Sequence, residues 1–381
     1  MDCCFDGDVF VLRDYNREPP FSGLLPGVAG LRGVPLWCFY VSRGQGVASF
    51  GAGERDGAMM EYVPAVTAYE DTARKGFRTF ISCGGRCFEP FAPDDPAQKQ
   101  ELRVSRAALE LRALHEPSDI EVRVEYRILP GEDMGALMRR VTVRNTGGGS
   151  ITFRLADGMA RVIPAGIRNR EFREMANLLK SYFDARLDGS GAALFSSRTT
   201  TENTARVGSV RRKNFYFASS GGRAMKLVCD PVRLFGPDTA LGRPARFYEA
   251  GFDMGGAPSD ARDGIPCAMA LGEFSLAPGG EAVIDAFAGS ADSAEQAALY
   301  THKFTDKAWC DGKHALSEQV VLEPASALEL ETAEPLFDAY VRQCLLDNAL
   351  RGGWPVTLGG RLLHLYGRRH GDLERDYNYF R

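Results

Sequence analysis

The chain predicts a mainly β fold, an antiparallel sandwich that ends in a helical connector. Three observations lead there. Short apolar runs rich in β-formers recur between turn residues, with 42 glycines and 20 prolines in 381 residues. The run 120–128, IEVRVEYRI, alternates apolar and polar residues, the pattern of a strand that buries one face and wets the other. Helical spacing is confined to a few short segments until Pro335, where the character of the chain changes.

The elements follow in order. Runs 9–12, 36–41 and 77–81 are strand-length and rich in Val, Ile, Phe, Tyr and Trp. Runs 120–128, 138–145 and 151–155 are three consecutive strands separated by turns such as Thr146-Gly147-Gly148-Gly149, and they predict one antiparallel sheet. A helix is expected over 170–183. It carries Phe172, Met175, Ala176, Leu179, Tyr182 and Phe183 on an apolar stripe and Arg173, Glu174, Asn177 and Lys180 on the other side, so it covers an edge or face of the sheet. Strands resume at 192–197, 214–218, 225–229 and 282–288. The stretch 233–266, rich in Gly, Pro and Asp, reads as a surface excursion. A short helix is expected at 293–304, and 316–330 is mixed. Pro335 then opens a helix with Phe337, Tyr340, Val341, Cys344 and Leu345 on one side, ended by Gly352-Gly353.

Composition excludes several classes. Apolar residues are 44% and charged residues 25%, ordinary for a globular chain. A net charge of -4 without a clustered basic face argues against a nucleic-acid partner, and the run Arg211-Arg212-Lys213 reads as a solvated turn. No apolar stretch approaches the roughly 20 residues of a membrane span, and no membrane partner is expected. The acidic start, Met1-Asp2-Cys3-Cys4-Phe5-Asp6, lacks the regions of a signal peptide, so a cytoplasmic location is expected. Nine cysteines at scattered spacings predict reduced thiols, and Cys83 with Cys87 lacks the second pair that a zinc site needs.

Candidate chemistry is sparse. There are five histidines, no Gly-x-Ser-x-Gly elbow and no His-Glu-x-x-His pair. The glycine-rich segment 43–51 lacks the Lys-Ser/Thr end of a phosphate loop and reads as a turn with glycines at positive φ. In the polar stretch 13–21, Asp14 and Asn16 lie beside aromatic residues, an arrangement that suits sugar hydroxyls and equally suits a turn with local ion pairs. The final segment is denser still. Asp372, Glu374 and Asp376 lie two residues apart, and Arg368, Arg369 and Arg375 can neutralise them with bidentate geometry. This reads either as a structural knot of ion pairs or as a carbohydrate or phosphate subsite. Its density suggests the threshold of a further domain.

At this point the sequence resembles a known family. Arg13-Asp14-Tyr15-Asn16, the stretch 20–30 and Val34 through Gly46 resemble the start of the 1,2-β-oligoglucan phosphorylases of glycoside hydrolase family 94, relatives of the cellobiose phosphorylases. Segments 156–159 and 163–166 resemble the strand before that family's helix. Asp347-Asn348-Ala349-Leu350-Arg351-Gly352-Gly353 and His370-Gly371-Asp372-Leu373-Glu374-Arg375-Asp376-Tyr377-Asn378 are the most distinctive matches. The resemblance implies a galactose mutarotase-like super-β-sandwich over 1–331, a helical linker over 332–353, and the truncated start of an (α/α)6 catalytic region over 354–381.

The implied reaction is phosphorolysis of β-1,2-linked glucan with inversion, giving α-glucose 1-phosphate. Hydrolysis needs both an acid and a base, but phosphate is already anionic, so one acid suffices. The family's acid is an aspartate beyond Arg381, and no catalytic residue is assigned. Arg369, His370, Asp372, Glu374, Arg375 and Asp376, with Asp14 and Asn16, are the candidate carbohydrate-binding residues. No resident cofactor is implied; inorganic phosphate is the co-substrate. The expected partners are a β-glucan oligosaccharide and a second copy in a homodimer. A sticky, partly apolar surface is expected near 336–380. The rival readings are a free-standing carbohydrate-binding module and a mutarotase-like enzyme, the latter disfavoured by the placing of the histidines.

Overall fold

The computed structural model describes residues 2–25, 34, 36–53, 55–199, 208, 210–255, 260–326, 328–350, 353–358 and 361–366, with backbone alone from 347 onward. Two antiparallel sheets face each other. The larger has twelve strands. In spatial order they are Cys3–Asp6, Val9–Arg13, Gln98–Val104, Leu109–His115, Ile120–Ile128, Gly135–Asn145, Glu281–Ala291, Lys213–Ser220, Ala193–Ser197, Phe183–Leu187 and Ala261–Arg262, with Arg223–Ala224 attached to Lys213–Ser220. The smaller orders Lys226–Val228, Ala268–Leu276, Ile151–Met159, Phe77–Cys83 and Arg86–Phe88. A three-stranded sheet, Ser22–Leu24, Leu36–Val41 and Val47–Ala52, lies beside them, and Gly353–Leu358 pairs with Arg361–Tyr366.

The alternating run keeps its predicted bounds. Ile120, Val122, Val124, Tyr126 and Ile128 are buried between the sheets, and the residues between them are not. Phe77, Ile81, Phe153, Leu155 and Ala270 meet them from the smaller sheet. The expectation of three consecutive strands in one sheet holds for two. Gly135–Asn145 pairs with Ile120–Ile128, but Ile151–Met159 crosses to the smaller sheet and pairs there with Ala268–Leu276 and Phe77–Cys83. A period-2 pattern states that one face is buried, not which partner buries it.

Helices close the outer face of the larger sheet. Ala294–Thr305 begins at Ser293, whose hydroxyl accepts from the Gln296 amide at 3.3 Å. Lys307–Ser326 follows, a 20-residue helix across the stretch read as mixed. Phe304 is fully buried and stacks on Phe287 at 4.0 Å, with Phe215, Phe217 and Trp309 around it.

The helix expected at 170–183 is shorter. Asn169–Leu179 gives way to one 3-10 turn, Lys180–Tyr182, and a strand starts at Phe183. Met175 leaves helical geometry (φ -134°, ψ 17°), so the apolar stripe is split: Phe172 and Leu179 are buried, while Met175 and Tyr182 are exposed. The excursion at 233–266 is also more than surface. Leu234, Phe235, Leu241 and Phe247 form a core with Phe80, Ala156, Val228 and Met269 on the outer face of the smaller sheet. Buried Arg78 holds the excursion there, donating to the Gly242 carbonyl at 2.9 Å and to Glu89 at 2.7 and 2.6 Å.

Helix Pro335–Leu350 starts where Pro335 predicts, but it presents another face. Asp338 and Leu346 are buried, and Phe337 and Tyr340 are exposed. Asp338 takes the Thr332 amide and hydroxyl at 2.9 and 2.7 Å, while Leu346 packs with Ala107, Val321 and Ala325; these two contacts set the helix rotation. Leu336, Phe337 and Tyr340 are therefore the described part of the apolar surface expected here. Among the described residues no helix is long and apolar enough to cross a membrane.

Candidate functional site

Of the eight sequence-predicted binding residues, Arg369, His370, Asp372, Glu374, Arg375 and Asp376 lie outside the described residues. Asp14 and Asn16 share a tight turn. Asp14 is exposed, with φ 46°, and its amide donates to the Gln100 carbonyl at 2.7 Å. Asn16 is buried. Its Nδ2 donates to the Phe91 carbonyl at 3.1 Å and to Gln100 Oε1 at 2.6 Å, and its Oδ1 accepts from the Gly44 amide at 2.8 Å. Both of its donors are thus committed inside the protein. Arg43 adds three bonds to the Tyr15, Ser42 and Glu18 carbonyls at 3.0, 2.6 and 2.7 Å, so the polar stretch ties two loops together.

A sizeable concavity lies elsewhere in the fold. A groove of about 620 Å³ separates the Cys3–Asp6/Val9–Arg13 hairpin from the first turns of helix Pro335–Leu350. Phe5, Phe10, Phe21 and Tyr40 form its aromatic floor as a chain of edge-to-face steps with centroids 5.7, 6.1 and 6.4 Å apart. Gly23 makes this floor possible: a Cβ there would lie 2.5 Å from the Tyr40 hydroxyl oxygen. Leu336 and Tyr340 form the opposite wall. At the rim, Arg106 reaches Asp8 at 2.9 Å. Neither Asp14 nor Asn16 lines this groove. The sequence offered little sign of it, since Phe5 read as part of the acidic start, Phe10 as an ordinary strand residue and Tyr340 as part of a packed helix face.

Several other charged groups pair within the fold. Arg139 and Asp157 pair at the centre of the sandwich, 1% and 0% exposed. Arg139 also donates to Gln45 Oε1 at 2.5 Å and to the Tyr126 hydroxyl at 3.1 Å, and the Thr79 hydroxyl donates to Asp157 at 2.6 Å. Burial pulls the Arg139 guanidinium down, but Asp157 and its neighbours outweigh that and hold it above its ordinary value. On the outer face, burial raises the Glu125 carboxyl, yet hydrogen bonding from His314 and the Arg127 charge prevail and bring it to about 2. A small cavity of about 40 Å³ lies beside helix Ala65–Lys75, with Glu61 and Arg161 among its lining residues. Burial pushes the Glu61 carboxyl up and the Arg161 guanidinium down. Among the described residues, no group of three or more His, Cys, Asp or Glu is placed to hold a metal ion.

No protein-family model matches the chain, and no curated protein matches it. It is similar to several solved structures. A bacterial glucoamylase complexed with acarbose shares 11% identity over 82% of this chain and 39% of its own, at a TM-score of 0.44. A family GH92 α-mannosidase from Bacteroides thetaiotaomicron shares 10% over 90% and 42%, at 0.42. A provisionally assigned kojibiose phosphorylase from the human microbiome shares 6% over 88% and 32%, at 0.33. The chain spans about a third to two-fifths of the length of these structures.

Proposed function

We propose that this chain is the non-catalytic sandwich and linker of an inverting glycoside phosphorylase acting on β-1,2-linked glucan, which yields α-glucose 1-phosphate in the assembled enzyme. The observation that carries this reading is the order of parts: an antiparallel two-sheet sandwich passes into helix Pro335–Leu350, the arrangement implied by the motifs at 13–46, 347–353 and 370–378. The aromatic groove at that junction supports a carbohydrate ligand. The assembled enzyme uses phosphate as co-substrate without a resident cofactor, and it works as a homodimer.

A chimera tests the proposal. The 381 residues replace the corresponding segment of an active 1,2-β-oligoglucan phosphorylase, and phosphate release is followed from glucose 1-phosphate with a short β-1,2-gluco-oligosaccharide acceptor. Turnover by the chimera and none by this chain alone is the expected result. Turnover by this chain alone, or a folded but inactive chimera, overturns the reading. A second reading, a free-standing carbohydrate-binding module, is favoured by the groove alone; glucan binding together with a folded, inactive chimera selects it.

A further inference from the structure

We infer that the groove between the Cys3–Asp6/Val9–Arg13 hairpin and helix Pro335–Leu350 is a holding site for a neutral β-linked gluco-oligosaccharide; the choice of glucan rests on the reading above. At about 620 Å³ the groove falls within the range of small-ligand sites. Phe5 and Tyr340 are 56% and 66% exposed on its two walls, a large apolar area left in water. The edge-to-face chain behind Phe5 fixes the ring angles, so a ligand orders few side chains on binding.

Charge selects the ligand class. Among the described lining residues the charged groups are Asp8 and Arg106, which pair with each other, so the lining gives no excess positive charge for a phosphate or an anionic lipid. The pair still offers carboxylate acceptors and guanidinium donors side by side. A sugar ring carries C–H faces for Phe5 and Tyr340 and hydroxyl edges for Asp8 and Arg106. Asp8 and Arg106 are 76% and 26% exposed, so water occupies their remaining hydrogen-bonding sites. A hydroxylated ligand replaces that water with its own donors and acceptors.

Titration calorimetry of the full chain with short β-1,2-gluco-oligosaccharides tests this. Wild type is expected to bind. Phe5→Ala and Tyr340→Ala, each removing an exposed ring and retaining the wild-type circular dichroism, are each expected to weaken binding about tenfold. Asp8→Asn, which keeps the side-chain shape, is expected to weaken it less. Wild-type binding that all three variants leave unchanged overturns the groove as the site while the phosphorylase reading stands. No binding by wild type also overturns the inference, and the chimera then judges the phosphorylase reading alone. Absence of glucan binding together with self-association abolished by Tyr340→Ala, read by light scattering, reassigns the groove to a second copy.

Discussion

Replacing Asp157 with asparagine keeps the side-chain shape and removes the negative charge facing Arg139 at the centre of the sandwich. Both groups are out of solvent, at 0% and 1% exposure. Asp157 and Thr79 lie on the smaller sheet and Arg139 and Tyr126 on the larger, and Gln45 joins from the turn between Leu36–Val41 and Val47–Ala52, so one network fastens three sheets. An isolated buried charge is the expensive outcome: breaking one side of such a pair costs about 3–5 kcal/mol. That is a large share of the roughly 5–15 kcal/mol by which domains are stable. Removing both charges, as in Arg139→Met with Asp157→Leu, deletes the stranded cation but leaves Gln45 and Thr79 short of partners, at about 1–3 kcal/mol each. The double variant is therefore expected to cost less than the sum of Asp157→Leu and Arg139→Met measured singly. Urea unfolding followed by circular dichroism supplies all the terms of this cycle. A cost below about 1 kcal/mol for Asp157→Asn, in the range of surface changes, would refute the view that this pair is dry and uncompensated by other charge.

Two further outcomes concern the helical layer. Phe304→Ala removes a fully buried ring stacked on Phe287 and is expected to cost about 3–5 kcal/mol, with faster amide exchange confined first to Ala294–Thr305 and Lys307–Ser326; uniform loss of protection across the larger sheet would contradict a separate layer. Glu125 has its folded value depressed from 4.5 to about 2, so its contribution is complete above the unfolded value and is lost as pH falls through the folded one. Wild type should exceed Glu125→Gln in stability by up to about 3 kcal/mol near neutrality, and the gap should close between pH 4.5 and 2; a gap independent of pH would show that the His314 and Arg127 contacts do not depend on the carboxylate charge.

Much of the strand layout was legible in the chain, because a period-2 run of β-formers has few other ways to bury its apolar side. Runs 36–41 and 120–128 keep their predicted bounds, and Pro335 marks a helix start. Helix 307–326 was obscured because its apolar residues do not gather on one stripe and Pro324 lies inside it. Of the candidate site, the sequence drew attention to Asp14 and Asn16, yet the polar groups of Asn16 serve the Gly44 amide, the Phe91 carbonyl and the Gln100 side chain. The aromatic groove went unread because its walls come from residues far apart in the chain, Phe5, Phe21 and Tyr340, and no local pattern links them.

Local pattern decided which segments would be strands or helices and roughly where each would stop, since backbone preferences and side-chain period act over a few residues. Long-range packing decided the rest. Ile151–Met159 joined the second sheet, Asp338 rather than Phe337 turned inward, and the excursion at 233–266 became a core. Each of these choices compares the burial of one surface against several possible partners, a comparison that exists only once the distant segments have met.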